Sequence, residues 1–143
     1  MGNGGVGPFL GAVNDHESNF QREDDNMKTV RRYYDRIYNA QKFDELSSFV
    51  SKNVKIRRDK QVLGGRDNLR AQIEHTFDQF HNLKVAVREM VASGARVSYR
   101  INVEHDVSDT NPARRRIRGI GHCRLSGGRI VETWVHYEPS EPI

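Results

Sequence analysis

Residues 115–137 read Arg115-Arg116-Ile117-Arg118-Gly119-Ile120-Gly121-His122-Cys123-Arg124-Leu125-Ser126-Gly127-Gly128-Arg129-Ile130-Val131-Glu132-Thr133-Trp134-Val135-His136-Tyr137. Two strand-length runs flank Ser126-Gly127-Gly128, a turn in which glycine supplies the positive φ that a tight hairpin requires. Working back, Val97, Tyr99, Ile101 and Val103 alternate with Ser98, Arg100, Asn102 and Glu104, the period of two that marks a strand. Leu83, Val85 and Val87 do the same, and Met90-Val91 resumes the pattern after a slip, before the turn at Ser93-Gly94. The C-terminal half therefore reads as a four-stranded meander.

The other half has a different rhythm. Val30, Tyr33, Tyr34, Ile37 and Tyr38 recur at spacings of three and four, an amphipathic helix with capping and acidic residues at 24–26 and a stop near Asn39. A short helix is expected at 43–50 and a third carries Leu69, Ile73, Phe77 and Phe80 on one face. Between them, 53–58 alternates as an early strand and 61–63 is its short partner. Helices ahead of a run of antiparallel strands give the α+β class: three N-terminal helices packed on a strongly curved antiparallel sheet, as a cone-shaped barrel. The mouth of such a cone holds a small ligand, and the convex face of its sheet is available to a second copy of the chain.

Length and composition set bounds. A chain of 143 residues, 36% hydrophobic and 29% charged, builds one domain with a single core. No stretch is long and apolar enough to span a bilayer, and one cysteine excludes an internal disulfide framework. The charge is uneven: residues 1–26 carry −4 and residues 27–143 carry +8. We read 1–26 as a flexible, acidic, glycine-rich arm and 27–143 as the domain. Phe9, Leu10, Val13 and Phe20 give the arm apolar points that could touch a groove. The opening Met1-Gly2-Asn3-Gly4-Gly5-Val6 has no signal-peptide core, and Val6 stands where a myristoylation signal needs Ser or Thr, so a cytoplasmic location is expected. The basic run Arg114-Arg115-Arg116-Ile117-Arg118 raises nucleic-acid binding. Its charges alternate with apolar residues and lack an accompanying aromatic motif, so it reads as a solvated hairpin.

Several motifs together resemble one family. Val30-Arg31-Arg32-Tyr33-Tyr34, Tyr38-Asn39-Ala40 with Asp44, and Gly64-Gly65-Arg66-Asp67-Asn68-Leu69 come first. Arg118-Gly119-Ile120-Gly121-His122 and Ser126-Gly127-Gly128-Arg129-Ile130-Val131-Glu132-Thr133-Trp134 follow. Over 27–137 the chain resembles the SnoaL-like polyketide cyclase branch of the nuclear transport factor 2-like superfamily, related to ketosteroid isomerases and limonene epoxide hydrolases. The resemblance implies a cofactor-independent enzyme performing acid–base cyclisation, isomerisation or dehydration of a small hydrophobic metabolite, polyketide- or terpenoid-like. It also implies a homodimer through the convex sheet face. The alternative is a non-catalytic ligand-binding or protein-association module of the same fold.

The family's acids are missing. Cyclases and isomerases would place a carboxyl at Gly121, and the isomerase base falls on Arg58, with Asp59 beside it. The epoxide-hydrolase frame of Arg-x-Asp, with a second Asp two residues after a Trp, becomes Arg100-Ile101-Asn102 and His136 after Trp134. The expected catalytic set is therefore His136 as acid–base, with Arg100 and Asn102 steadying an enolate or oxyanion. Tyr33, which matches the isomerases' oxyanion donor, joins Arg58, Trp134 and Glu132 as the expected substrate-binding residues. Glu132 and His136 are taken to share one strand face. His122 is assigned to the convex side, His75 to solvent and Cys123 to the core. No set of His, Asp and Glu has metal-ligand spacing, so no metal is expected.

Overall fold

A computed structural model describes residues 19–143; residues 1–18, which include the Gly2, Phe9, Leu10, Val13 and His16 of the expected arm, lie outside the described residues. Helix α1 runs over 19–33 and continues as a π-helical segment, Tyr34–Asn39. A 3-10 turn, Phe43–Glu45, leads into α2, Leu46–Phe49. Strands β1, Val50–Arg58, and β2, Gln61–Gly64, precede α3, Arg66–Gln79. The long strands follow: β3, Lys84–Ser93; β4, Arg96–Asp106; β5, Arg114–Ser126; β6, Arg129–Tyr137; and the short β7, Glu141–Pro142.

Residues 19–26, the end of the expected arm, are helical. The reason is tertiary contact. Glu23 accepts a hydrogen bond from the Gly94 amide at 2.7 Å, and Asn26, buried, donates to the Gly94 carbonyl. The residues that resemble a helix cap are instead one turn of helix gripping the β3–β4 hairpin.

The sheet runs β2-β1-β6-β5-β4-β3, with β7 paired to β5. It is curved and carries the three helices, as expected for this α+β class. Two details differ from the expectation. The sheet does not close, since its path ends at β2 and β3, and β1 pairs with β6 in parallel. The parallel pair follows from chain order: β1 comes from α2 and joins the edge that the β5–β6 hairpin leaves open.

The core lies between helices and sheet. Val30, Tyr33, Tyr34 and Ile37 meet Val54, Ile56, Val97, Tyr99, Ile101, Cys123 and Ile130. The slip expected near residue 90 is a bulge between Arg88 and Val91, with Glu89 at φ 53°. A second bulge, between Leu125–Ile130 and Arg124–Glu132, leaves Val131 as an extra residue on β6. An extra residue inverts the facing of everything beyond it. The basic run is largely engaged: Arg114 pairs with Asp106, Arg118 with Glu141, and Arg115 donates twice to Ser140.

Candidate active site

The concave side of the sheet and the helices enclose a cavity of about 460 Å³. Its walls are mostly apolar, with Ile56, Leu69, Ile73, Phe80, Val85 and Val103 among them. Polar groups are the tyrosines 33, 34, 38 and 137, then Gln72, Thr76 and Thr133, with Arg57, Arg58, Asp59, Glu138, Trp134 and His136. A small, largely apolar molecule with one or two oxygens matches such a wall.

The π-helical segment explains why three tyrosines converge. A π turn widens the face a helix presents, so Tyr34 and Tyr38 both reach inward beside Tyr33, and their rings stack edge to face or tilted at 4.9–5.7 Å. Tyr33 and Tyr38 are hydrogen-bonded through their side chains. Burial raises both hydroxyls above the usual tyrosine range, Tyr33 well above it. At Tyr38 the bond from Tyr33 and the positive charge of Arg58 oppose the rise. Arg58 sits at the end of β1 and donates to Gln72 at 2.7 Å; among the described residues it pairs with no carboxylate. Its charge also acts on Tyr137, whose hydroxyl burial pushes up.

Behind the cavity wall, the Tyr34 and Tyr99 hydroxyls are hydrogen-bonded. Tyr99 faces Gly121 across the β4–β5 ladder, and a Cβ there would fall inside its ring, 2.6 Å from the hydroxyl. The absent family acid thus has a physical counterpart: glycine at 121 makes room for the Tyr99 phenol.

Strand phase decides the remaining expected residues. Gly119 lies opposite both Ile101 and Tyr137, and Ile101 is buried at the cavity, so that face looks inward. The row opposite in phase is Arg100, Ile120 and His136, with Ile120 60% exposed. By phase His136 points toward the convex face, although it and Trp134 are among the residues that border the cavity. Trp134 shares that face, its ring 4.4 Å from the His122 ring, which itself bonds Ser98 at 2.7 Å and Arg96. Glu132 is buried there under Arg57 and Arg124, and these bonds, Arg57's first, hold its carboxyl below the usual range. Arg100 is exposed and paired with Glu89; Asn102 lies beside it in the same phase. So of the seven expected site residues, Tyr33 and Arg58 line the cavity with their side chains. Trp134 and His136 also border the cavity, although their strand phase turns the side chains toward the convex face, whereas Arg100, Asn102 and Glu132 are not among the lining residues. The cause on β6 is the bulge: Ile130 does face the core, but the extra Val131 puts Glu132, Trp134 and His136 outside.

The SnoaL-like polyketide cyclase family matches residues 28–141. The chain belongs to this family. No curated protein matches the sequence with significance. Among solved structures, a SnoaL-like protein from Jannaschia sp. CCS1 is 18% identical, with a TM-score of 0.71 over 82% of this chain and 88% of the other. The epoxide hydrolase/cyclase-like enzyme SalBIII, described in pyran ring formation in salinomycin, is 20% identical, with a TM-score of 0.71 over 82% and 94%. An epoxide hydrolase-like protein of M. tuberculosis is 14% identical, with a TM-score of 0.67 over 81% and 84%. At these identities the likeness shows a common fold.

Within the SnoaL-like frame, Tyr34, Tyr38, Tyr99, Tyr137, Asp59 and Gln72 were not singled out from sequence as a group. Tyrosine on an apolar stripe reads first as core. The available signal was Tyr33, Tyr34 and Tyr38 on one helix, three hydroxyls where one or two would satisfy a core. Among the described residues no group of His, Cys, Asp and Glu is placed to hold a metal ion, and no helix is long and apolar enough to cross a membrane. What the cavity offers chemically is neutral phenols as hydrogen-bond and proton donors, the guanidinium of Arg58 with that of Arg57 bound to Glu132, carboxylates at Asp59 and Glu138, and the His136 imidazole at its border.

Proposed function

We propose that the cavity performs acid–base chemistry on a small, largely apolar carbonyl compound, in a cyclisation, isomerisation or dehydration that passes through an enolate or similar oxyanion. The observation that carries this reading is the convergence of Tyr33, Tyr38 and Arg58 on one cavity with many apolar side chains in its wall. Donors fixed beside a cation in a water-poor cavity stabilise developing negative charge on oxygen far better than water does. Asp59 accepts a proton from the carbon next to the carbonyl, while Tyr38, beside Arg58, donates to the carbonyl oxygen. Returning the proton to a different carbon completes an isomerisation; attack of the enolate on a second carbonyl, with the proton held by Asp59 returned to the resulting alkoxide, completes a cyclisation. A polyketide- or terpenoid-like metabolite suits the family and the cavity, and the reaction needs only the chain's own side chains. The convex face, with Val91 and Ile120 exposed, is the proposed homodimer surface.

The test uses 3-cyclohexen-1-one, whose conversion to the conjugated 2-isomer is followed by ultraviolet absorbance. Tyr38→Phe is expected to lower the rate about 100-fold, as for loss of one oxyanion donor. Arg58→Ala weakens both binding and rate, and His136→Ala leaves both unchanged. Loss of turnover in His136→Ala with Tyr38→Phe unaffected would move the chemistry to the convex face. The lack of a carboxyl at Gly121 favours a second reading, a ligand carrier. A ketone that titrates into the cavity and is recovered unchanged by the wild type supports it.

A further inference from the structure

Tyr34 and Thr133 both line the cavity, and both are connected behind its wall. The Tyr34 hydroxyl bonds that of Tyr99. The Tyr99 hydroxyl meets Cys123 Sγ at 3.7 Å, and Cys123 donates to Thr133 Oγ1 at 3.6 Å. All four residues are buried, Cys123 completely. The chain thus leaves the cavity at one wall, passes through two side chains with no access to it, and returns at another.

Each member of such a chain has one hydrogen to give. With Cys123 donating to Thr133, the sulfur accepts from Tyr99 and Tyr99 accepts from Tyr34. Thr133 then directs its own hydrogen into the cavity, and Tyr34 presents a lone pair. Reversing every bond gives the mirror state, with Tyr34 donating to the cavity and Thr133 accepting. Chains of this kind polarise one another in a low-dielectric interior. Burial raises the Cys123 thiol to about 11 and the tyrosines well above their usual range, so every link keeps its hydrogen at neutral pH.

We propose that Tyr99 and Cys123 are positioning residues that couple the Tyr34 and Thr133 hydroxyls, so that the cavity always presents one donor and one acceptor together. This rests on the reading of the cavity as the substrate site and narrows the substrate class. The preferred compound carries one acceptor oxygen and one donor group, as a hydroxy-ketone or the enol of a dicarbonyl does. Gly121 is the position that permits the device, because any side chain there displaces the Tyr99 ring.

The chain has one cysteine, so the protein has a single S–H stretching band in the infrared. Tyr99→Phe keeps the ring and removes the hydroxyl, and is expected to shift that band. Tyr34 makes no bond to Cys123, yet Tyr34→Phe is expected to shift the band through Tyr99. Tyr38→Phe, a ring neighbour of Tyr34 outside the chain, leaves it in place. A band unmoved by Tyr34→Phe, or moved as far by Tyr38→Phe, overturns the coupling without any ligand. In the wild type, 4-hydroxycyclohexanone is expected to bind about three- to tenfold tighter than cyclohexanone, one net hydrogen bond's worth, with the preference lost in Tyr99→Phe. A preference that survives in Tyr99→Phe overturns the substrate class. If neither ketone perturbs the methyl resonances of Ile73 or Val103, the substrate-site reading falls, while the ligand-free band shifts still decide the coupling.

Discussion

Position 121 shows how far one residue reaches. A hydrogen at Gly121 lets the Tyr99 phenol occupy the space in which relatives of this fold are expected to carry an acid, and the phenol in turn holds Tyr34. Gly121→Ala overpacks that site, and we expect a loss of about 1–3 kcal/mol in denaturant unfolding with Tyr99 displaced. On the opposite face Glu132 carries a different consequence. Its folded-state pKa is lowered, chiefly by the bond from Arg57, so the stability it contributes is present above the ordinary carboxylate pKa and is lost as pH falls through the lowered one. Stability should therefore decline on acidification below about pH 4, and Glu132→Gln should flatten that limb of the curve. At this scale the sequence was only half legible. Alternation along 97–103 correctly separates Tyr99, Ile101 and Val103 from Arg100 and Asn102, but it does not say which set lines the cavity. Alternation points to the polar face for a polar site, whereas the hydroxyls of this cavity sit at the tips of apolar rings. Cys123 in the core and His122 on the convex side were both readable, because their strand has no bulge between them and Gly119.

Elements were more legible than residues, and the misreadings have local causes. Long amphipathic periods and the glycine hairpin outweigh any single substitution, so α1, α3 and the four-stranded meander follow from pattern alone. Bulges do not announce themselves in an alternating sequence. The slip before Val91 was visible because Arg88-Glu89 interrupts an apolar series, while Val131 is itself apolar and hides the extra residue on β6. The π segment was equally hidden, since spacings of three and four fit both helix types. Its C-terminal residue, Asn39, does more than end a helix. The Asn39 amide donates to the Val85 carbonyl and accepts from the Val85 amide, each at 2.8 Å, completing the outer side of edge strand β3 as another strand would. Asn39→Ala leaves both main-chain groups to find other partners, at a cost of about 1–3 kcal/mol. Hydrogen exchange checks it: the Val85 amide should lose protection by far more than amides in β5 or β6.

For the whole molecule, the division of the sheet into two faces with separate tasks matters most. The concave face holds the tyrosines and the cavity; Arg100, Asn102 and Glu132 lie on the convex face, with Trp134 and His136 alternating toward it at the cavity border. Those residues are not idle. Arg57 and Arg124 enclose Glu132, Trp134 covers His122, and Ser98 with Arg96 fixes the His122 ring, a rigid polar platform around exposed apolar side chains. Val91 and Ile120, 65% and 60% exposed, lie on this side, and such a surface on an open, curved sheet fits a second copy related by a twofold axis. Burying Ile120 against its own equivalent would place Arg100 and His136, its ladder neighbours, at the rim. If this is the interface, the chain sediments at twice its 16.5 kDa, and Ile120→Glu yields a folded monomer because the side chain takes no part in the core. The same variant should isomerise 3-cyclohexen-1-one at an unchanged rate, since no cavity residue is touched. A wild type that remains at 16.5 kDa across micromolar concentrations would leave Ile120 as ordinary exposed surface. A monomeric variant that loses turnover would instead tie the cavity to the assembled pair, with the platform transmitting the contact through β5 and β6.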